Sequence, residues 1–292
     1  MQYYRNLAKI PEVDIPSSLE ECWELKQLKA NATLISGGTL LQVQWETGAV
    51  IPTNLISLES IKELRGIQLK ENNHQKMIEI GALTTLAACE RNIILNEYAN
   101  VLINAITAIA APSVRNRATI GGNICSGVGD SIPALLILNA EVNYYNGSTI
   151  INIPLEQWLK SPELAYRYLL THIVIPIKNN TNLDTYYFRK VGRREAFTAA
   201  LVSVAIYCKS VEAKVKDISI CIGGGDHIPH QLKNSESFIK YRLHEQRDVV
   251  SLYQLICDEI QTYTDAFATE SYRKQVAANI IMGFLTEQFT SN

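Results

Sequence analysis

The chain of 292 residues carries 27 Lys and Arg against 29 Asp and Glu, a formal charge of -2, with 47% hydrophobic and 19% charged residues. At roughly 150 residues per domain this predicts about two domains of ordinary globular composition. It excludes a disordered chain, and it lacks the basic excess of a nucleic-acid binder and the polybasic run of a membrane-surface protein.

The opening Met1-Gln2-Tyr3-Tyr4-Arg5-Asn6 has no basic stretch followed by an apolar one, so no signal peptide is expected. Ser18-Leu19-Glu20-Glu21 is a capping box and predicts a helix from about residue 19. Thr33-Leu34-Ile35 reads as a short buried strand, Val50 to Leu58 as loop into strand, and Met77 to Ile80 as a further strand ending at Gly81. Val101, Leu102, Ala105, Ile106 and Ile109 recur at helical spacing, and Ala111-Pro112 is expected to stop that helix. No uncharged apolar run approaches the roughly 20 residues of a membrane span. A short helix over Pro133 to Leu138 and strands at Glu141 to Tyr145 and His172 to Pro176 complete the first half. The polar run Asn179-Asn180-Thr181-Asn182 marks a domain boundary, giving units 1–178 and 179–292. Beyond it, Val202, Val204 and Ile206, then Ile218, Ile220 and Ile222, alternate with their neighbours as half-buried antiparallel strands do. Amphipathic helices follow at Val250 to Ile260 and Ser271 to Leu285. The pattern is α+β without a regular βαβ period.

Common catalytic signatures are missing. There is no Gly-x-Gly-x-x-Gly, no phosphate-binding Gly-x-x-x-x-Gly-Lys-Ser/Thr, no Gly-x-Ser-x-Gly and no His-Glu-x-x-His. The six cysteines include no Cys-x-x-Cys, so no zinc or iron–sulfur site is encoded locally, and free thiols in a reducing cytoplasm are expected. His227 and His230 flank Pro229 and read as a surface turn.

Two segments share one form, a short apolar strand followed by Gly-Gly and a small polar residue: Leu34-Ile35-Ser36-Gly37-Gly38-Thr39 and Ala118-Thr119-Ile120-Gly121-Gly122-Asn123. Paired glycines let backbone N–H groups approach a ligand, and consecutive N–H groups form anion-binding nests. Two nests brought together can grip one pyrophosphate; two unrelated tight turns are the alternative. Asp130, between Gly129 and Ser131, can accept a ligand hydroxyl or cap the helix near Pro133. The basic cluster Arg189-Lys190-Val191-Gly192-Arg193-Arg194-Glu195 follows three aromatic residues and offers either a cation for a bound anion or a solvated hairpin.

Ile109 to Asn123 resembles, without a gap, the Ile-Ala-x-Pro-x-Ile/Val-Arg-Asn-x-Ala-Thr-Ile-Gly-Gly-Asn run of the FAD-binding medium subunits of the molybdenum hydroxylases. That family includes xanthine dehydrogenase and aerobic carbon monoxide dehydrogenase. Ser36-Gly37-Gly38-Thr39-Leu40 is similar to its Ala-Gly-Gly motif, with Ser36 in place of the usual Ala. Gly129-Asp130-Ser131, Leu169 to Pro176 and Ser271-Tyr272-Arg273 resemble further family elements, so the likeness spans nearly the whole chain.

The resemblance implies a two-domain FAD-binding fold of the vanillyl-alcohol-oxidase type with a C-terminal sheet-plus-helices domain. Leu34, Ile35, Ser36, Gly37, Gly38, Thr39 and Leu40, with Thr119, Gly121, Gly122 and Asn123, would surround the FAD pyrophosphate. Ile109 and Ala110 would lie near the flavin or its ribityl chain, Asp130 at the adenosine part and Leu170 at the adenine end. Arg189 or Lys190 would lie near the flavin ring. No residue is expected to be catalytic or to bind metal. The implied partners are a molybdenum-cofactor large subunit, a small subunit with two [2Fe-2S] clusters, and NAD+ or another acceptor. Xanthine dehydrogenase is the expected complex. The alternatives are a stand-alone flavin oxidase or dehydrogenase of the same superfamily, and a non-enzymatic nucleotide-binding scaffold.

Overall fold

Ser18 opens the first helix, Leu19–Leu28, as the capping box predicts: its hydroxyl accepts from the Glu21 N–H at 3.2 Å. The Glu21 carboxylate bonds back to the N–H and hydroxyl of Ser17 rather than to Ser18. The structure, a computed structural model, describes residues 10–72, 75–178, 183–194, 198–211, 214–225, 227–242 and 246–290. The opening six residues, the predicted boundary at 179–182 and Glu195 lie outside the described residues.

Strands β1 (Glu12–Asp14), β2 (Thr33–Ile35) and β3 (Asn54–Ser57) form a parallel sheet in the order β1-β3-β2, with Ile35 opposite Ser57. Its small core includes Leu19, Cys22, Ile56, Ile61 and Leu64. The next sheet contains β4 (Ile67–Asn72), β5 (Gln75–Gly81), β6 (Glu141–Tyr145), β7 (Ile150–Pro154) and β8 (Leu169–Pro176), in the antiparallel order β4-β5-β8-β6-β7. Between β5 and β6 runs a set of short helices whose apolar faces share one core with this sheet. Val101, Leu102, Ala105 and Ile106 are buried as predicted, but their helix, Asn100–Thr107, ends two residues before Ile109. Pro112 does not terminate that helix. It starts a new turn, Pro112–Arg115, at the first helical position, where a missing N–H costs nothing.

The second half is an antiparallel meander, β9 (Asp184–Gly192), β10 (Ala200–Val211), β11 (Lys214–Gly224) and β12 (His227–Gln231), in the order β12-β11-β10-β9. His227 and His230 therefore lie on a strand rather than in the expected turn. Helices Lys233–Arg242, Gln246–Glu259 and Glu270–Thr290 follow. Val204, Ile206, Ile218, Ile220 and Ile222 pack beneath them. A half-buried strand leaves its alternating residues to solvent, yet Ser203, Ala205 and Tyr207 are buried too. Ala205, Tyr207 and Cys221 join the core of the first domain, with Tyr186 and Phe188 of β9 packed against it. The sheet is covered on both faces, so its alternation records two different apolar partners rather than one partner and water.

The all-but-buried Arg273 holds the last helix to β10: it donates to the Leu201 carbonyl and pairs with Asp265. Among the described residues no helix is long and apolar enough to cross a membrane.

Candidate functional site

Strand β2 ends at the first Gly-Gly. Gly38, at φ +70°, takes the left-handed conformation that glycine adopts without a Cβ clash, and starts the helix Thr39–Glu46, which no side chain caps. Among the described residues the N–H groups of Ser36, Gly37 and Gly38 donate to no protein acceptor. Leu34, Ile35 and Thr39 are half-buried around them, and Leu40 is exposed.

The second Gly-Gly differs from the strand-and-turn expected. Residues 118–120 are not a strand; Thr119 makes a single bridge to Thr85 and caps the short helix Ile120–Cys125, accepting from the Gly122 N–H at 3.1 Å. The Gly121 N–H goes to the Ala82 carbonyl and that of Asn123 to the Thr119 carbonyl. These amides are spent inside the protein, so this motif contributes close approach rather than a row of free donors. Neither glycine has positive φ. A Cβ on Gly121 would sit 2.7 Å from the Ala82 carbonyl oxygen. On the exposed Gly122 it would lie 3.0 Å from Thr119 Oγ1 and 3.8 Å from Ser36 Oγ, filling the mouth between the two motifs.

The fold brings both motifs together. Ser36 Oγ lies 3.0 Å from Thr119 Oγ1. At Gly37 a Cβ would lie 2.0 Å from the Arg117 carbonyl oxygen, so only glycine lets the two segments touch. Arg117 Nε also reaches the Gly37 carbonyl at 3.4 Å. A cleft of about 350 Å³ opens here, lined by Ser36, Gly37, Glu59, Arg65, Thr85, Asn116, Arg117 and Thr119. Free N–H groups, hydroxyls and two guanidinium groups fit an organic diphosphate. Neither Arg65 nor Arg117 has a carboxylate partner among the described residues. Sequence reasoning missed Arg65 and did not single out Arg117; nothing local distinguishes Arg65, which reaches the cleft only through the turn before β4.

From the second motif a bonded path runs to the joint between the domains. Asn123 Oδ1 accepts from the Ser131 hydroxyl at 2.6 Å and its N–H at 3.3 Å, fixing the loop that carries Asp130. Asp130 does not cap the next helix; Ser131 occupies that position and makes no side-chain cap bond. The Asp130 carboxylate instead takes a bond from Lys190 Nζ at 2.6 Å, with both side chains largely buried. Lys190 also donates to the Ala108 carbonyl at 2.8 Å. Burial pushes the Asp130 carboxyl above its ordinary range, and Lys190 pulls it back. On β9, Lys190 points with Phe188 toward the first domain, whereas Arg189 is exposed. Arg193 lies 4.1 Å over the Phe267 ring.

Ile109 and Ala110 adjoin this joint, and Ala110 takes φ +43°. Leu170 is buried at 7% exposure in β8, within the core of the first domain. Among the described residues no group of three or more His, Cys, Asp or Glu could hold a metal ion.

Comparison with known proteins identifies the family and the fold. A family model for the FAD binding domain in molybdopterin dehydrogenase matches residues 10–178, and one for the CO dehydrogenase flavoprotein C-terminal domain matches 186–288. The chain is similar to the xanthine dehydrogenase FAD-binding subunit of Escherichia coli O157:H7, 25% identical over 210 residues, 70% of each chain. The nicotinate dehydrogenase FAD-subunit of Eubacterium barkeri is 24% identical over 216 residues, 70% of this chain and 69% of the relative. In fold, the chain matches a solved structure of carbon monoxide dehydrogenase from Hydrogenophaga pseudoflava with TM-score 0.84 at 22% identity, over 94% of this chain and 95% of that one. The chain thus belongs to the oxidoreductase flavoprotein subunits of the molybdenum hydroxylases, and its cofactor is FAD.

Proposed function

We propose that this chain is the electron-transfer subunit of a molybdenum hydroxylase complex. It would take electrons from two [2Fe-2S] clusters of a small partner and pass them to NAD+ or another acceptor, while a molybdenum-cofactor large subunit oxidises the substrate. Bound FAD supplies a carrier that accepts and releases electrons. The chain supplies binding, orientation and electrostatics. Xanthine is the substrate we favour for the complex; the Escherichia coli relative named for xanthine dehydrogenase supports it.

The observation that carries the reading is the meeting of Ser36–Gly38, with amides free of protein acceptors, and Thr119–Gly122 across one cleft. In this proposal Leu34, Ile35, Ser36, Gly37, Gly38, Thr39 and Leu40, with Thr119, Gly121, Gly122 and Asn123, surround the pyrophosphate. Ile109, Ala110, Asp130 and Lys190 shape the site at the domain joint; the Lys190–Asp130 pair draws Asp130 to the lysine's side of the site rather than to the adenosine part that the resemblance implied, and Leu170 backs it from the core. Arg189 faces away. Binding is non-covalent in this proposal, because neither Gly-Gly motif contains a His or Cys that could tether the flavin.

Purification of the chain with its neighbours tests the proposal. A yellow chain whose flavin is released by acid, isolated with iron and molybdenum subunits, supports it. Colourless protein, flavin that stays attached after denaturation, or flavin protein that turns over substrate alone would each overturn part of it. Xanthine, nicotinate and carbon monoxide offered to the complex decide the substrate.

A further inference from the structure

Ala110 is one of two non-glycine residues at positive φ among the described residues, at +43°. A side chain pays a steric cost there, so the surrounding structure has to hold it. The holder is Arg115, 6% exposed. Its Nη1 donates to the carbonyls of Ile109 at 3.0 Å and Ala110 at 2.9 Å, with a longer bond to Thr107 at 3.4 Å. Glu90 fixes the other edge of the guanidinium, with Oε2 at 2.9 Å from Nε and Oε1 at 3.3 Å from Nη2. Lys190, from the second domain, takes the intervening Ala108 carbonyl. Two cations thus engage the carbonyls of residues 107 to 110.

Among the described residues the N–H groups of Ala110 and Ala111 donate to no backbone or side-chain acceptor. Buried or half-buried N–H groups are rarely left so, and consecutive free ones beside a left-handed residue form a site for an acceptor atom. The kink is also tied to the Gly-Gly site through Asn123, Ser131, Asp130 and Lys190.

We infer that Arg115 is a positioning residue for the flavin nucleotide: by clamping the carbonyls around Ala110 it presents the Ala110 and Ala111 N–H groups to acceptor atoms of the bound cofactor. The inference rests on the FAD site proposed above. Lysine at 115 keeps the charge opposite Glu90 but cannot serve the carbonyls and both carboxylate oxygens at once. Glycine at 110 adopts the left-handed backbone without a Cβ clash, so it relieves the need for the clamp.

The test uses the full chain stripped of flavin, titrated with FAD, with apo-protein melting followed in parallel. R115K should weaken FAD binding by about tenfold or more. The double variant R115K/A110G should recover most of that loss, and its apo melting temperature should rise as well, because at positive φ the strain glycine relieves outweighs the freedom it adds to the unfolded chain. A merely structural role predicts instead that R115K lowers the melting temperature while FAD affinity, measured well below it, stays at the wild-type value. R115K binding FAD as wild type does, or no recovery in the double variant, overturns the inference. If R115K does not fold, E90Q loosens the same clamp with Arg115 in place, and unchanged FAD affinity in E90Q overturns it. Wild-type chain that binds no FAD sinks the site assignment itself, a result separable from all of these.

Discussion

Ser36 and Thr119, 83 positions apart, meet hydroxyl to hydroxyl at 3.0 Å, and Thr119 also caps the turn that carries Gly121 and Gly122. One side chain therefore joins the two halves of the cleft and sets the start of the second. T119V removes the cap and the cross-link together, and should cost about 1–2 kcal/mol of stability. S36A removes the cross-link alone and should cost about 0.5–1 kcal/mol. Urea denaturation of the two variants checks the order; equal losses would mean the cap carries nothing.

The glycines separate folding from binding. G121A forces a Cβ to 2.7 Å from the Ala82 carbonyl oxygen, and G37A forces one to 2.0 Å from that of Arg117. Each should destabilise the apo chain by about 1–3 kcal/mol, the usual range for overpacking. G122A meets no backbone, only Thr119 Oγ1 at 3.0 Å and Ser36 Oγ at 3.8 Å on an exposed face, and should leave the fold intact while weakening FAD binding. FAD titration and thermal melting of the three variants give the comparison. A G122A chain with native affinity would show that the mouth of the cleft is not in contact with the cofactor.

The Lys190–Asp130 pair gives a pH signature. Burial raises the folded Asp130 pKa above its unfolded value, so its contribution to stability is full below the ordinary carboxylate range and is lost as pH rises through the raised value. Without Lys190 the opposing pull is gone and the loss grows. K190M should cost about 3–5 kcal/mol at pH 7.5, where a carboxylate would be stranded, and less near pH 5. K190M/D130N should recover part of the loss and flatten the pH dependence. Denaturant unfolding at the two pH values measures both, and a K190M deficit independent of pH would contradict this account.

The same pair bears on redox. A cation beside the flavin favours its more negative reduced form, and an anion opposes it. K190Q should therefore lower the flavin reduction potential and D130N should raise it, by about 30 mV for each 1.4 kcal/mol of altered interaction in a two-electron couple. R189Q, on the exposed face of β9, should leave it unchanged. Potentiometric titration of the three variants decides, and a shift in R189Q alone would reverse the assignment of the two neighbours.

Arg65 and Arg117 line the cleft without a carboxylate partner among the described residues. Exposed guanidinium groups contribute modestly, so R65Q and R117Q should each weaken FAD affinity by about two- to fivefold, and less at high salt. ADP, which carries the diphosphate without the flavin, should lose affinity in parallel. Binding curves at two ionic strengths test this; an effect that salt leaves untouched would point to shape rather than charge.

Much of this site was legible in the sequence. Gly37-Gly38 and Gly121-Gly122 stand out as repeated glycine pairs, with backbone close against Gly37 and Gly121 and positive φ at Gly38, and Ser18, Thr33–Ile35 and the 101–106 spacing follow local rules. What stayed hidden depends on distant partners. The same Asp130 side chain serves equally well as a cap or as an ion-pair partner until β9 is placed beside it. Alternation in β10 looks like one wet face unless the neighbouring domain is known to cover it. Pro112 reads as a stop or a start according to whether the preceding chain has already left the helix.

Because the carbonyl of Ala108 and the carboxylate of Asp130 both wait for Lys190, the candidate cofactor seat proposed here has an order of construction. On the ribosome the first 178 residues emerge before β9 exists, leaving those two groups unmatched and the apolar surface that will meet Ala205 and Tyr207 uncovered. If the flavin sits at this joint as proposed, a chain cut short before Lys190 would leave its seat unfinished.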